Sequence, residues 1–200
     1  MISLKGLHYR SKQVYDFCSF IKLGFAYNLR YKIAARYIPP NQSVIDVCSA
    51  AGDFKKFLSK NCTYTAIESS PQFCKILQER NISYVCCNLH EAMPNDIPCT
   101  DVLAMIISLS QFRKTSVHEL LEYFKKIARR VVIVEDVLPQ TREENSFYQK
   151  VVNYLCATDY YVPVTWFTHL EFSKLMDQHG YQYKKITERY CVGIYEPHAH

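Results

Sequence analysis

The residues Ser43-Val44-Ile45-Asp46-Val47-Cys48-Ser49-Ala50-Ala51-Gly52-Asp53-Phe54 constrain this chain more than any other stretch. A short apolar, β-branched run ends in an acid and a turn of small residues. It then resumes as the helical pattern Phe54-Lys55-Lys56-Phe57-Leu58. The pattern reads as a strand, a tight loop and a helix start, the arrangement in which an α/β sheet offers free backbone N–H groups to a ligand. Sixteen residues after Gly52 a second apolar strand, Tyr64-Thr65-Ala66-Ile67, ends in Glu68. An acid at that point is suited to holding the two hydroxyls of a ribose.

Asp46 to Phe54 resembles the first motif of class I S-adenosylmethionine-dependent methyltransferases, which usually reads acid-x-Gly-x-Gly-x-Gly. Asp46 and Gly52 match it, while Cys48 and Ala50 stand where glycines are usual. The closing Gly52-Asp53-Phe54 is similar to the small-molecule, quinone-biosynthesis C-methyltransferases. The resemblance runs from about Tyr31 to the end of the chain. It implies a Rossmann-like α/β fold: a mostly parallel seven-stranded sheet, a C-terminal antiparallel hairpin and helices on both faces. It also implies S-adenosylmethionine as cofactor, placed against Asp46, Cys48, Ser49, Ala50, Gly52, Glu68, Ser69, Asn88, Leu89 and Ile106. In the family an Asp often stands where Asn88 stands and accepts from the adenine amino group. The Asn88 carbonyl can accept the same bond, and Asn88 reads equally well as a turn residue.

A nicotinamide enzyme uses the same strand, loop and helix. Its fingerprint Gly-x-Gly-x-x-Gly would fall on Cys48, Ala50 and Asp53, none of them glycine. Those glycines let the backbone approach a pyrophosphate, and a carboxylate at Asp53 would repel that phosphate. A phosphate-free nucleoside donor tolerates a turn with fewer glycines and more acid.

With 200 residues, one domain spanning 1–200 is the expectation. Apolar residues make up 48% and charged residues 22%, a globular rather than disordered balance. A net charge of +5 permits an acidic partner without pointing to nucleic acid. Nine cysteines with no Cys-x-x-Cys pair suggest neither a zinc site nor a disulfide scaffold. They read as buried thiols of a reducing cytoplasm, and no run approaches the length of a membrane span.

Residues 1–30 carry an amphipathic pattern, a helical cover that would offer Tyr9, Tyr15 and Tyr27 to a substrate or pack them on the sheet. Ser70-Pro71 starts a helix that Asn81 breaks, and Tyr84-Val85-Cys86-Cys87 is a third strand. His90, next to the pocket, reads as an exposed loop residue in preference to a substrate contact. Asp101 to Ile107 suits a strand buried on both faces, with Gln111 shortly after its carboxyl end. Val117 to Ala128 forms a helix ended by Arg129-Arg130, charges favourable to a helix C-terminus. Val131 to Val134 is the fifth strand. Glu135 and Asp136 follow at its crevice end, one a candidate catalytic base, the other a plain strand-end charge. Residues 141–167 are an inserted segment that would form a lid and includes Trp166. Thr168 and Glu171 form a capping box for the helix His169 to His179, and Gly180 ends it. Two β-rich segments, Tyr181 to Tyr190 and Cys191 to Tyr195, supply the terminal hairpin.

Three functional readings follow. The first is methyl transfer to a small, aromatic or otherwise apolar acceptor. The second is methylation of RNA or protein, which needs a basic face at the pocket mouth. The third is a non-catalytic binding module that kept the fold, motivated by Cys48 and Ala50.

Overall fold

The computed structural model describes Lys12, Asp16 and residues 27–91, 97–137 and 166–197. Tyr9, Tyr15, most of the N-terminal cover and all but the last two residues of the 141–167 segment lie outside them. Among the described residues seven strands form one sheet: β1 (Ser43–Val47), β2 (Thr63–Glu68), β3 (Ser83–Cys86), β4 (Thr100–Ile106), β5 (Ala128–Asp136), β6 (Gln182–Lys185) and β7 (Tyr190–Tyr195). Their order is β3-β2-β1-β4-β5-β7-β6. The first five run parallel, and β7 pairs antiparallel with both β5 and β6. The order reverses between β1 and β4, the switch point where an open α/β sheet leaves a crevice at its carboxyl ends.

Side chains alternate across the strands, so each face builds its own core. Helices α1 (Leu29–Ala35) and α2 (Pro71–Glu79) cover one face, where Ile33, Phe54 and Leu77 meet Val44, Tyr64, Ala104 and Val132. Helices α3 (Val117–Ile127) and α4 (His169–Gln178) cover the other, where Leu121, Phe124, Phe172 and Met176 meet Ile45, Leu103, Met105 and Ile133. The capping box at Thr168 and Glu171 forms in full. Gly180, with φ +70°, takes the left-handed turn beyond α4.

Four local readings are corrected. The segment after the β1 loop is a short 3-10 turn, Asp53–Phe57, because Gly52 enters it in a left-handed conformation. Arg129 and Arg130 do not end a helix. Ala128 is already extended, and both arginines lie in β5, where Arg130 donates to the Tyr37 carbonyl and pairs with Glu196. His90 is half-buried, its ring stacked on Phe112 with centroids 4.2 Å apart. Finally, Cys74 and Cys86 are joined in a disulfide. The first turn of α2 lies along the end of β3 and brings their Cα atoms to 6.0 Å, within the span of native disulfides.

Candidate functional site

The backbone at the crest of the sheet carries the strongest signal. Among the described residues, five other than glycine have positive φ: Asn41, Cys48, Ala50, Asn81 and Ile107. Asn41 and Asn81 sit in turns before strands, and asparagine tolerates this conformation. Cys48, Ala50 and Ile107 do not, and each left-handed residue of their kind costs roughly 1–2 kcal/mol. All three lie just beyond the carboxyl ends of the neighbouring central strands β1 and β4. Cys48 (φ 57°), Ala50 (φ 49°) and Gly52 (φ 71°) alternate along one loop. The loop therefore takes at three alternating positions the left-handed backbone that glycine adopts freely, while carrying side chains at two of them.

Glu68 holds that path. Its Oε2 accepts the Ala50 N–H at 2.7 Å, and its Oε1 accepts those of Ser69 at 2.9 Å and Ser70 at 2.8 Å. Burial pushes the Glu68 carboxyl up, and the three N–H bonds oppose that. Oε2 keeps acceptor capacity for one more donor, since a carboxylate offers about four lone-pair sites.

Asp46 is buried on the same face and accepts the Tyr64 hydroxyl. Burial raises its carboxyl to about 7; nearby Glu68 adds to the rise, while the Tyr64 bond and Arg30 oppose it. Arg30 is buried in α1 and donates to the Tyr31 hydroxyl at 2.9 Å. Its guanidinium lies 4.2 Å from the ring centre of Tyr27. Burial first, then Glu68 and Asp46, keeps Cys48 a thiol.

Around this centre, Leu89 and Ile106 are buried, and Ser69 follows Glu68 at the mouth of the crest. The Asn88 side-chain carbonyl accepts its own turn's His90 N–H at 3.0 Å. Among the described residues, Ser49 Oγ, in the loop itself, and Asn88 Nδ2 are buried polar atoms with no hydrogen-bond partner. Gly52 faces away from the crest, since a Cβ there would meet Leu77 Cδ2 at 2.8 Å and Ile82 Cδ1 at 2.9 Å.

The β5 carboxylates are already engaged. Glu135 is fully buried and accepts the Leu109 N–H at 2.9 Å, fixing the short 3-10 turn Leu109–Gln111 after β4. Asp136 receives a fork of two 2.9 Å bonds from Arg189. Of the acceptor-side residues, Gln111 ends that 3-10 turn half-buried and Tyr27 packs edge-on against Tyr31. Trp166 is buried, and its carbonyl accepts from Arg113. A separate open cleft of about 440 Å3, lined by Gly52, Lys55, Lys56, Arg80 and Ile82, flanks the loop. Asp53 neutralises part of it, at 2.7 Å from Lys56 and 3.1 Å from Arg80.

Sequence reasoning missed Arg30, Tyr64 and Arg189. Tyr64 had a usable signal, a hydroxyl two residues before Ala66 on the strand beside Asp46. Arg30 gives no signal, because burial of its charge beside Asp46 is set by how α1 packs, and Arg189 gives none because Asp136 is distant in sequence.

Solved structures place this architecture. The DhpI–SAM–HEP complex superposes over 98% of this chain and 100% of its own, with a TM-score of 0.64 and 13% identity. Human N-acetylserotonin methyltransferase in complex with SAM matches 93% of this chain over 56% of its own, with a TM-score of 0.65 and 13% identity. A possible histamine N-methyltransferase from Thermotoga maritima gives 0.64 at 15% identity, covering 96% of this chain and 98% of its own. The chain has the class I methyltransferase fold. No family model matches it, and no curated protein matches it in sequence. Among the described residues no helix is long and apolar enough to cross a membrane.

Proposed function

We propose that the chain is an S-adenosylmethionine-dependent methyltransferase acting on a small, aromatic or otherwise apolar acceptor. The observation that carries this reading is the left-handed backbone at Cys48 and Ala50, kept without glycine. Strain of this kind persists where the surroundings over-determine it, as at a ligand-holding turn. The residues fit the cofactor: unpartnered Ser49 Oγ and Asn88 Nδ2 border the crest, and Glu68 Oε2 retains one acceptor site.

The backbone from Cys48 to Gly52 would take the methionine end, with Asp46 balancing its ammonium. Glu68 would hold the ribose, and Ser69, Asn88, Leu89 and Ile106 would border the adenine. The sulfonium supplies an already activated methyl group. The protein's share is then to align the acceptor and exclude water, a contribution of up to roughly 7–11 kcal/mol. Glu135 and Asp136 enter as positioning residues, because their carboxylates fix the turn after β4 and Arg189 respectively. Gln111, Tyr27 and Trp166 would border the acceptor.

Calorimetry with S-adenosylhomocysteine tests the reading. The wild-type chain binds, and Glu68→Ala weakens binding by about tenfold or more, as loss of a charged hydrogen bond entails. Unchanged affinity in Glu68→Ala refutes the ribose assignment. A non-catalytic module is the second reading, favoured by the three backbone bonds Glu68 already accepts. Absence of any binding selects it. A salt-sensitive gel shift with tRNA would select an RNA acceptor instead.

A further inference from the structure

The structure assigns Cys74 and Cys86 as a reversible thiol–disulfide site that stiffens the nucleoside side of the crest when oxidised. This rests on the placement of the cofactor proposed above. The bridge ties the first turn of α2 to the last residue of β3; Glu68 ends β2 just before α2 and is the register partner of Cys86. The Glu68 carbonyl accepts the Cys87 N–H at 2.9 Å, and Cys74 Sγ lies 3.5 Å from the same oxygen. The Glu68 carboxylate holds Ser69 and Ser70, which lead directly into α2. One covalent link therefore couples α2, which follows Ser69 and Ser70, to the end of β3, where the Cys87 N–H holds the Glu68 carbonyl.

Three features make the site reversible rather than merely structural. β3 is an edge strand of four residues, an element that opens at low cost. Cys86 is exposed while Cys74 is buried, so an external thiol has one accessible sulfur. Burial first, then Glu68, pushes the neighbouring Cys87 thiol up, which disfavours its attack on the pair.

The chemistry needs a small thiol of the glutathione class. Its thiolate attacks Cys86 Sγ, breaks the bond to Cys74 and forms a mixed disulfide on Cys86, and Cys74 leaves as a thiolate that takes a proton. A second small thiolate attacks the outer sulfur of that mixed disulfide. The products are the Cys86 thiol and a small-molecule disulfide, with two electrons passed to the protein. In the reduced state the Cys74 thiol is placed to donate to the Glu68 carbonyl.

The test poises the full chain in glutathione buffers of graded redox ratio, with thiol alkylation and mass analysis reporting the state of the pair. Hydrogen exchange at the Ala50, Ser69 and Ser70 amides is then compared between states. Reduction should speed exchange at these three by about tenfold and weaken S-adenosylhomocysteine binding about threefold to tenfold, as lost preorganisation does. Cys86→Ser should behave as the reduced form in every buffer. Equal exchange in the two states, or a pair that resists reduction until the chain unfolds, overturns the assignment. If S-adenosylhomocysteine binds neither state, the cofactor reading fails, and the exchange comparison still decides the switch.

Discussion

Glu68 Oε2 accepts the N–H of Ala50 at 2.7 Å, so the acid at the end of β2 holds the strained turn at the end of β1. Two adjacent strands are thereby locked at the point where their carboxyl ends meet the crevice. Glu68→Gln keeps the size of the side chain but replaces one acceptor oxygen with a donor. That amide nitrogen then faces either the Ala50 N–H or those of Ser69 and Ser70. Loss of at least one charged hydrogen bond in a buried setting should destabilise the chain by about 2–3 kcal/mol. Urea unfolding at neutral pH measures it, and a change under 0.5 kcal/mol, about the scatter of a neutral surface substitution, would contradict the clamp.

Two substitutions in the loop separate strain from packing. Gly52→Ala places a methyl group within 3 Å of Leu77 Cδ2 and Ile82 Cδ1 at a φ of +71°. Clash and backbone strain act together, and a loss of about 2–4 kcal/mol is expected. Ala50→Gly relieves the left-handed strain but frees the unfolded chain, so it should shift stability by no more than about 1 kcal/mol. Ala50→Val, β-branched at φ 49°, should cost about 2 kcal/mol or more. Thermal unfolding of the three variants orders them.

Much of this was legible before the structure. β-branched runs bounded by turns mark β1, β4 and β5, because buried parallel strands need apolar side chains on both faces. The Thr168–Glu171 box marks the start of α4, because a helix start advertises its own hydrogen bonds. The loop's side chains suggested a weakened motif, since φ is not written in residue type; the backbone of Cys48 and Ala50 is left-handed all the same. The Cys74–Cys86 bridge was illegible because pairing depends on how α2 lies against β3. Asp136 and Arg189 meet for a similar reason, their strands being neighbours only through the antiparallel return of β7.

Asp46 should make stability depend on pH. Its folded value of about 7 lies above its ordinary 3.8, so the folded state holds a proton that the unfolded chain has lost. The contribution is full below about pH 4 and disappears as pH rises through 7, a change of roughly 2–4 kcal/mol. Glu68, also raised, adds in the same sense. Asp46→Asn keeps an acceptor for Tyr64 and should flatten most of this slope in urea unfolding between pH 4.5 and about 7.5. An equal slope in the variant would show that other groups carry it.

Glu135 offers a contrast between positioning and proton transfer. Glu135→Leu leaves the buried Leu109 N–H without its acceptor and should cost about 1–3 kcal/mol. Glu135→Gln retains an acceptor and should restore most of that stability. If methyl transfer is measurable, Glu135→Gln should keep the acidic limb of its pH profile, whereas a catalytic base would lose it.

The strand order also decides how the molecule meets its own kind. The outer margin at β6 ends in the exposed Lys184 and Lys185, the second paired with Glu188, and such charged side chains blunt a sheet edge. The opposite margin is only four residues long and tethered by its last residue to a helix. Among the described residues neither rim offers a long flat template for sheet extension.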